Sequence, residues 1–302
     1  MPIRPTLRQL QYLCTLAEKE SFRGAAEVCH VSQSTLSSGI RQLEDILQVT
    51  LVDRESDQFR LTVLGNEILG RAKTLLRDTD ELVAMAQRQE KPLSGRLRLG
   101  VIPSIGPFLL PKALPGLRRS FPDLKLYLRE KLTRHVLDDV KAGRLDAAVI
   151  ALPYRIEGFA SQSLGLDRFH VALPLRHPLV KHQKIEALDL RREPLILLED
   201  GHCIRDHVLA SLKRGDPTPG QVADEEIEAT SLMTIVQMVA NGLGGTLLPG
   251  LALRAGLVDG LDIVVRDFKE PTAEREIVMV WRPRSAMESN IRLLANHLTA
   301  FV

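Results

Sequence analysis

The stretch of this chain with the most reactive chemistry is Leu198-Glu-Asp-Gly-His-Cys-Ile-Arg-Asp-His207. It follows a buried apolar run, and a helix is expected to begin near Gly201. Cys203 then lies in the first turn, where the helix dipole favours an anion. His202 and Arg205 add hydrogen-bond donors or positive charge close by. Each of these stabilises thiolate over thiol, and thiolate is the form that attacks a peroxide to give a sulfenic acid. A lone cysteine after a strand is also a common inert core residue. The residues by themselves leave both roles open.

A second chemistry is written in Val31 to Leu43. Ser32 caps a helix whose Leu36, Ile40, Leu43 and Leu47 form one apolar stripe, while Gln33, Ser34, Ser37 and Arg41 lie off it. No carboxylate appears before Glu44. Short donors and acceptors at a helix N-terminus, free of acids that repel phosphate, suit entry into the DNA major groove. Arg54 is placed to hold the backbone. The same pattern also fits a three-helix interaction domain with a polar face. Acids and bases nearly balance over residues 1–60, so binding would rest on local arginines and helix N-termini rather than a broad basic footprint.

Three kinds of element must position these groups. Thr6 caps a first helix with Leu7, Leu10, Leu13, Cys14 and Ala17 at helical spacing, and Ser21 opens a second to Cys29. Leu51–Arg54 and Gln58–Leu61, joined by Glu55-Ser56-Asp57, read as a short hairpin. Thr62 caps a long helix to about Glu90, stopped by Pro92. Its apolar side runs Leu64, Ile68, Ala72, Leu75, Thr79, Leu82, Ala86, close to a coiled-coil seam for a partner chain to cover. From Gly95 strands and helices alternate: 96–102, 124–128, 145–151, 169–173, 195–198, 245–248 and 277–280 read as strands, with helices such as Thr133–Ala142 and Ser231–Asn241 between. That alternation predicts α/β layers with mainly parallel pairing. Ser104 and Ser231 fall at predicted helix starts, where an anion can be held.

Bulk properties bound the rest. The chain has 302 residues, 44% hydrophobic and 26% charged, with a net charge of +2. This is an ordinary globular composition, and it argues neither for nor against a nucleic-acid partner. No signal peptide and no membrane-length apolar run is evident, so a cytoplasmic location is expected. Cys14, Cys29 and Cys203 have neither disulfide-framework nor zinc spacing, and no metal or cofactor is expected. Cys14 and Cys29 sit on apolar helix faces and read as structural thiols.

Leu7-Arg-Gln-Leu-Gln-Tyr-Leu13, Ser21-Phe-Arg-Gly-Ala-Ala-Glu27, Val31–Glu44 and Leu61-Thr-Val-Leu-Gly65 resemble the LysR-type regulators, over residues 1–90 in order. The resemblance implies an α/β protein with an N-terminal winged helix-turn-helix (1–62), a dimerising linker helix (63–92) and a periplasmic-binding-protein-like regulatory domain (93–302). That last domain would have two subdomains, about 93–166 with 269–302, and 167–268. It implies a homotetramer, a dimer of dimers, on a partly palindromic double-stranded operator, with RNA polymerase as a further partner. By the family pattern Gln33, Ser34, Ser37, Ser38 and Arg41 face DNA, and Arg54 meets phosphate.

Gly201-His-Cys-Ile-Arg-Asp206 resembles the peroxide-sensing OxyR branch of that family, as do Val101–Pro111, Glu130-Lys-Leu-Thr133, Ala229–Leu232 and Gly244–Pro249. On that resemblance Ser104, Thr133, His202 and Asp206 position hydrogen peroxide over Cys203, and Arg205 stabilises thiolate. The branch carries a resolving cysteine nine residues on, where this chain has Leu212. An intramolecular disulfide is therefore not expected. Two alternatives remain: a regulator that answers a small anionic metabolite, and a thiol-dependent enzyme. The enzyme is disfavoured, because no carboxylate-oriented histidine, oxyanion loop or resolving thiol is recognisable.

Overall fold

A computed structural model describes residues 4–53, 59–87, 92–190, 193–202, 204–205, 227–268 and 274–302. Arg54, the turn 55–57, Cys203, Asp206 and Leu212 lie outside the described residues, as does the side chain of Ala86. The chain divides into two compact units, Met1–Glu90 and Lys91–Val302.

The first unit opens with α1 (Leu7–Lys19), α2 (Phe22–Val28) and α3 (Gln33–Leu47). Each starts on a hydroxyl: Thr6, Ser21 and Ser32 accept the N–H of Gln9, Gly24 and Thr35. Those caps satisfy amides that a first turn leaves unpaired. Leu13, Leu16, Leu36, Ile40, Leu43 and Leu51 form the buried centre. Strands β1 (Val52–Asp53) and β2 (Arg60–Leu61) pair antiparallel as the wing. Glu44 Oε1 accepts the N–H of Leu51 at 2.8 Å and of Val52 at 3.2 Å, tying α3 to the wing.

Helix α4 (Val63–Gln87) begins at Thr62, whose Oγ1 accepts the N–H of Gly65 and donates to the Thr50 carbonyl. A Cβ on Gly65 would lie 2.3 Å from the Leu51 carbonyl oxygen, so only glycine lets the helix leave the wing this closely. The expected seam divides between two faces. Ala72 is buried, and Ile68, Leu69 and Leu76 pack with it on the unit's own core. Leu64, Leu75, Leu82 and Val83 are exposed. Own-chain α1 therefore covers part of the stripe assigned to a partner.

The second unit contains β3 (Gly95–Val101), α5 (Gly106–Ser120), β4 (Leu124–Glu130), α6 (Thr133–Lys141), β5 (Ala147–Leu152), β6 (Ala160–Pro174), β7 (Lys184–Ile185), α7 (Ala187–Leu190) and β8 (Ile196–Leu198). After these come β9 (Ile227–Ala229), α8 (Leu232–Ala240), β10 (Thr246–Pro249), α9 (Gly250–Arg254), β11 (Ile263–Phe268), β12 (Glu274–Trp281) and α10 (Glu288–Thr299). The main sheet runs β4-β3-β5-β12-β6-β11-β7, with β10 also on β6, and β8-β9 form a small parallel sheet.

The pairing is mixed rather than mainly parallel. Among the described residues β3 pairs parallel with β4 and β5, β7 with β11, and β8 with β9. β12 runs antiparallel to β5 and β6, and β6 to β10 and β11. The reason is topological: the chain leaves the first set of strands along β6 and returns along β12, so these neighbours must run in opposite directions. β6 is one strand that changes partners along its length, pairing with β12 up to Arg168, with β10 from Phe169 and with β11 from His170.

Candidate functional site

Four loops leave the carboxyl ends of parallel strands, where α/β folds place their ligands. Ser104 follows β3, and Thr133 follows β4 as the first residue of α6. Glu199–His202 follow β8, and Ser231 follows β9, where its hydroxyl caps α8 on Thr234 N–H. The Lys131 N–H donates to the Val101 carbonyl, holding the ends of β3 and β4 side by side. Gly201 has φ +94°, a left-handed conformation, and a Cβ there would sit 3.2 Å from Leu132 Cδ1. The structure thus brings the His202 loop against the residue that precedes Thr133. Both Ser104 and Thr133 are buried. No hydrogen bond from the Thr133 hydroxyl is found among the described residues.

Ser104 does not start a helix as its sequence position suggests. α5 begins at Gly106 with Ile105 as cap and no side-chain bond. The Ser104 Oγ instead accepts from Arg275 Nη1 at 2.8 Å, and its carbonyl accepts from Nη2 at 3.0 Å. Arg275 Nε and Nη2 also donate to Asp167 Oδ2 at 3.1 and 3.0 Å. Asp167 Oδ1 accepts the Leu251 N–H at 2.7 Å, and both charged side chains are fully buried. Because Ser104 accepts from a cation, its own proton remains to be donated elsewhere. Sequence reasoning missed Asp167 and Arg275, since Glu274-Arg-Glu276 looks like solvated charge. A signal existed: Arg275 alternates in step with Ile277, Met279 and Trp281 on the buried face of β12.

His202 is half-buried, and burial holds its imidazole below the usual value, against a smaller upward pull from Glu199. At neutral pH it offers a neutral ring, the hydrogen-bonding rather than the charged of the two contributions expected beside Cys203. Arg205 donates to Glu228 Oε1 at 2.7 Å and the Leu198 carbonyl at 3.3 Å, and its Nε lies 3.1 Å from Asp200. Its charge is answered by two carboxylates, and it pins the loop to β9. Ile204 and Arg205 are helical. Cys14 is buried, and burial pushes its thiol up to about 11, with Lys73 pulling down and Glu18 adding a little upward. Cys29 is half-buried.

On α3, Gln33, Ser34, Ser38 and Arg41 are exposed and Ser37 is half-buried. Ser34 shares a 2.9 Å hydrogen bond with Ser32, and Glu44 is turned to the wing. Among the described residues no cluster of histidine, cysteine and carboxylates could hold a metal, and no helix is long and apolar enough to cross a membrane.

Residues 7–66 match the bacterial regulatory helix-turn-helix proteins of the lysR family, and residues 90–302 the LysR substrate binding domain. A hydrogen peroxide-inducible genes activator of Dickeya chrysanthemi is 39% identical over 291 residues, spanning 96% of this chain and 93% of that one. The HTH-type transcriptional regulator EstR of Acinetobacter baylyi is 35% identical over 301 residues, 99% and 97% of the two chains. A full-length OxyR variant from Pseudomonas aeruginosa superposes with a TM-score of 0.79 at 35% identity, covering 98% and 95%.

Proposed function

The chain belongs to the LysR family of bacterial helix-turn-helix regulators, and on that premise we propose that it is a DNA-binding transcription regulator that senses hydrogen peroxide through Cys203. It is a regulator, not an enzyme. The observation that supports the sensing role is the geometry of the strand ends: Ser104 held by a buried guanidinium at the end of β3, beside the β4 end that leads to Thr133. The loop that leads to Cys203 packs on Leu132. In the proposed reaction the Cys203 thiolate attacks one peroxide oxygen. The S–O bond forms, the O–O bond breaks, and hydroxide leaves to be protonated to water. Donors such as Ser104, Thr133 and neutral His202 stabilise the charge growing on the leaving oxygen. In this reading Asp206 helps to position the peroxide and Arg205 stabilises the thiolate.

Oxidation would stop at the sulfenic acid or pass to a mixed or intersubunit disulfide, because Leu212 stands at the resolving position and burial suppresses the Cys14 thiolate. The DNA face is Gln33, Ser34, Ser37, Ser38 and Arg41, with Arg54 on phosphate. The working form is a cytoplasmic homotetramer on a partly palindromic operator, in contact with RNA polymerase. Its parts are 1–62, 63–92 and 93–302, the last with its cleft between 93–166 with 269–302 and 167–268. In a second reading the cleft binds a small anionic metabolite, near the start of α8 where Ser231 caps the helix, and Cys203 only packs. Mass spectrometry after brief exposure to dilute peroxide separates the two. Sulfenic acid on Cys203 supports sensing; a Cys203 left reduced while a control thiol oxidises removes it.

A further inference from the structure

The fully buried pair on β6 and β12 does more than join two strands. Arg275 and Asp167 sit directly opposite each other in the β12–β6 register. Asp167 spends both oxygens, one on the guanidinium and one on the first amide of α9 after Gly250. That second bond fixes the plane of the carboxylate, and the carboxylate fixes the fork of the guanidinium. The fork leaves Nη1 on the Ser104 hydroxyl and Nη2 on the Ser104 carbonyl. The Phe169 ring lies 5.6 Å from the guanidinium carbon and closes the other side.

We propose that Asp167 is a positioning residue for the peroxide reaction, acting through Arg275 to hold the Ser104 hydroxyl where the oxidant needs it. This rests on the peroxide-sensing reading of Cys203. An amide cannot substitute. Asparagine has one acceptor oxygen where Asp167 uses two, and its NH2 would face either the Leu251 N–H or the guanidinium. The side chain touches no oxidant itself, so its effect should appear only in a reaction that needs Ser104.

Two reactions of the same thiol in the full-length protein test this: oxidation of Cys203 by hydrogen peroxide, and its alkylation by iodoacetamide, which needs no hydroxyl donor. Asp167→Asn is expected to slow oxidation about tenfold and to leave alkylation within about twofold. Ser104→Ala is expected to slow oxidation to a similar extent, and the double variant no further than either single one, since both remove the same contact. Equal slowing of both reactions, an unchanged oxidation rate, or multiplying effects in the double variant would overturn the proposal. Should Asp167→Asn strand the buried cation and fail to fold, Asp167→Asn with Arg275→Met removes both charges, a replacement buried pairs often tolerate. It should show the same selective loss. A wild-type Cys203 inert to peroxide overturns the function and the positioning role together, whereas a reactive wild type with an indifferent Asp167 overturns only the latter.

Discussion

Asp139 shows how single residues fix the ends of an element. It is 5% exposed and accepts from Lys131 and Arg144, which reach it from either end of α6. Burial raises its pKa, but hydrogen bonds and charge from Lys131 and Arg144 outweigh this and hold it below 3.8. A depressed carboxylate contributes stability that is present above its unfolded pKa and lost as pH falls through the folded one. Asp139→Asn should therefore lower stability at pH 7 by about 1 kcal/mol, a modest figure because both bases are partly solvated. It should also flatten the acid limb below about pH 4. Thermal melts across pH 2–7 measure both; an unchanged acid limb would refute the assignment.

Arg41 makes no ion pair among the described residues, and at the exposed face of α3 it is free for a base edge. Arg41→Ala should weaken specific DNA binding by about 1–3 kcal/mol, read by fluorescence anisotropy at fixed salt. At this scale the polar positions of α3 and the buried thiol of Cys14 were legible, because helical spacing alone separates the faces. Arg275 was not: its partner Asp167 lies 108 residues earlier, and no local pattern links them.

Elements with local signatures were read nearly to the residue. Hydroxyl caps mark the starts of α1, α2, α3 and α4, and the wing follows from two short apolar pairs. The helix expected to open at Ser104 begins at Gly106 as α5, and it runs on through Pro111 and Pro115, where proline ordinarily argues against a helix interior. The β7, β9 and β11 strands were missed because they are short or only half-buried and carry little alternation. Gly65 offers a test at this scale. Gly65→Ala drives a methyl into a backbone carbonyl that cannot move aside, and should cost about 1–3 kcal/mol. Because the strain falls where the wing meets α4, operator affinity should drop with the melting temperature. Retention of both would mean the junction is looser than described.

For the whole molecule, the unfilled half of the α4 stripe is the clearest prompt. Leu75 and Leu82 stand one heptad apart, 52% and 65% exposed, a costly arrangement for a helix alone in water. Leu75→Asp with Leu82→Asp should dissociate the proposed oligomer in sedimentation experiments while leaving helix content intact; undiminished association would exclude this face as the seam. The single tryptophan, Trp281, is fully buried in the second unit, with the Arg292 guanidinium 5.0 Å from its ring. Its fluorescence should follow unfolding of that unit only, whereas far-ultraviolet dichroism sums both. With two compact units, non-coincident curves are expected.

The place of β12 bears on how the protein is made. This strand lies between β5 and β6, yet it begins 122 residues after β5 ends, at Glu274 against Leu152. While the ribosome is still building the middle of the chain, β5 and β6 already exist but have no strand to zip between them. Their open edges stay unpaired until residues 274–281 have been made, a state in which strand edges invite association with other chains.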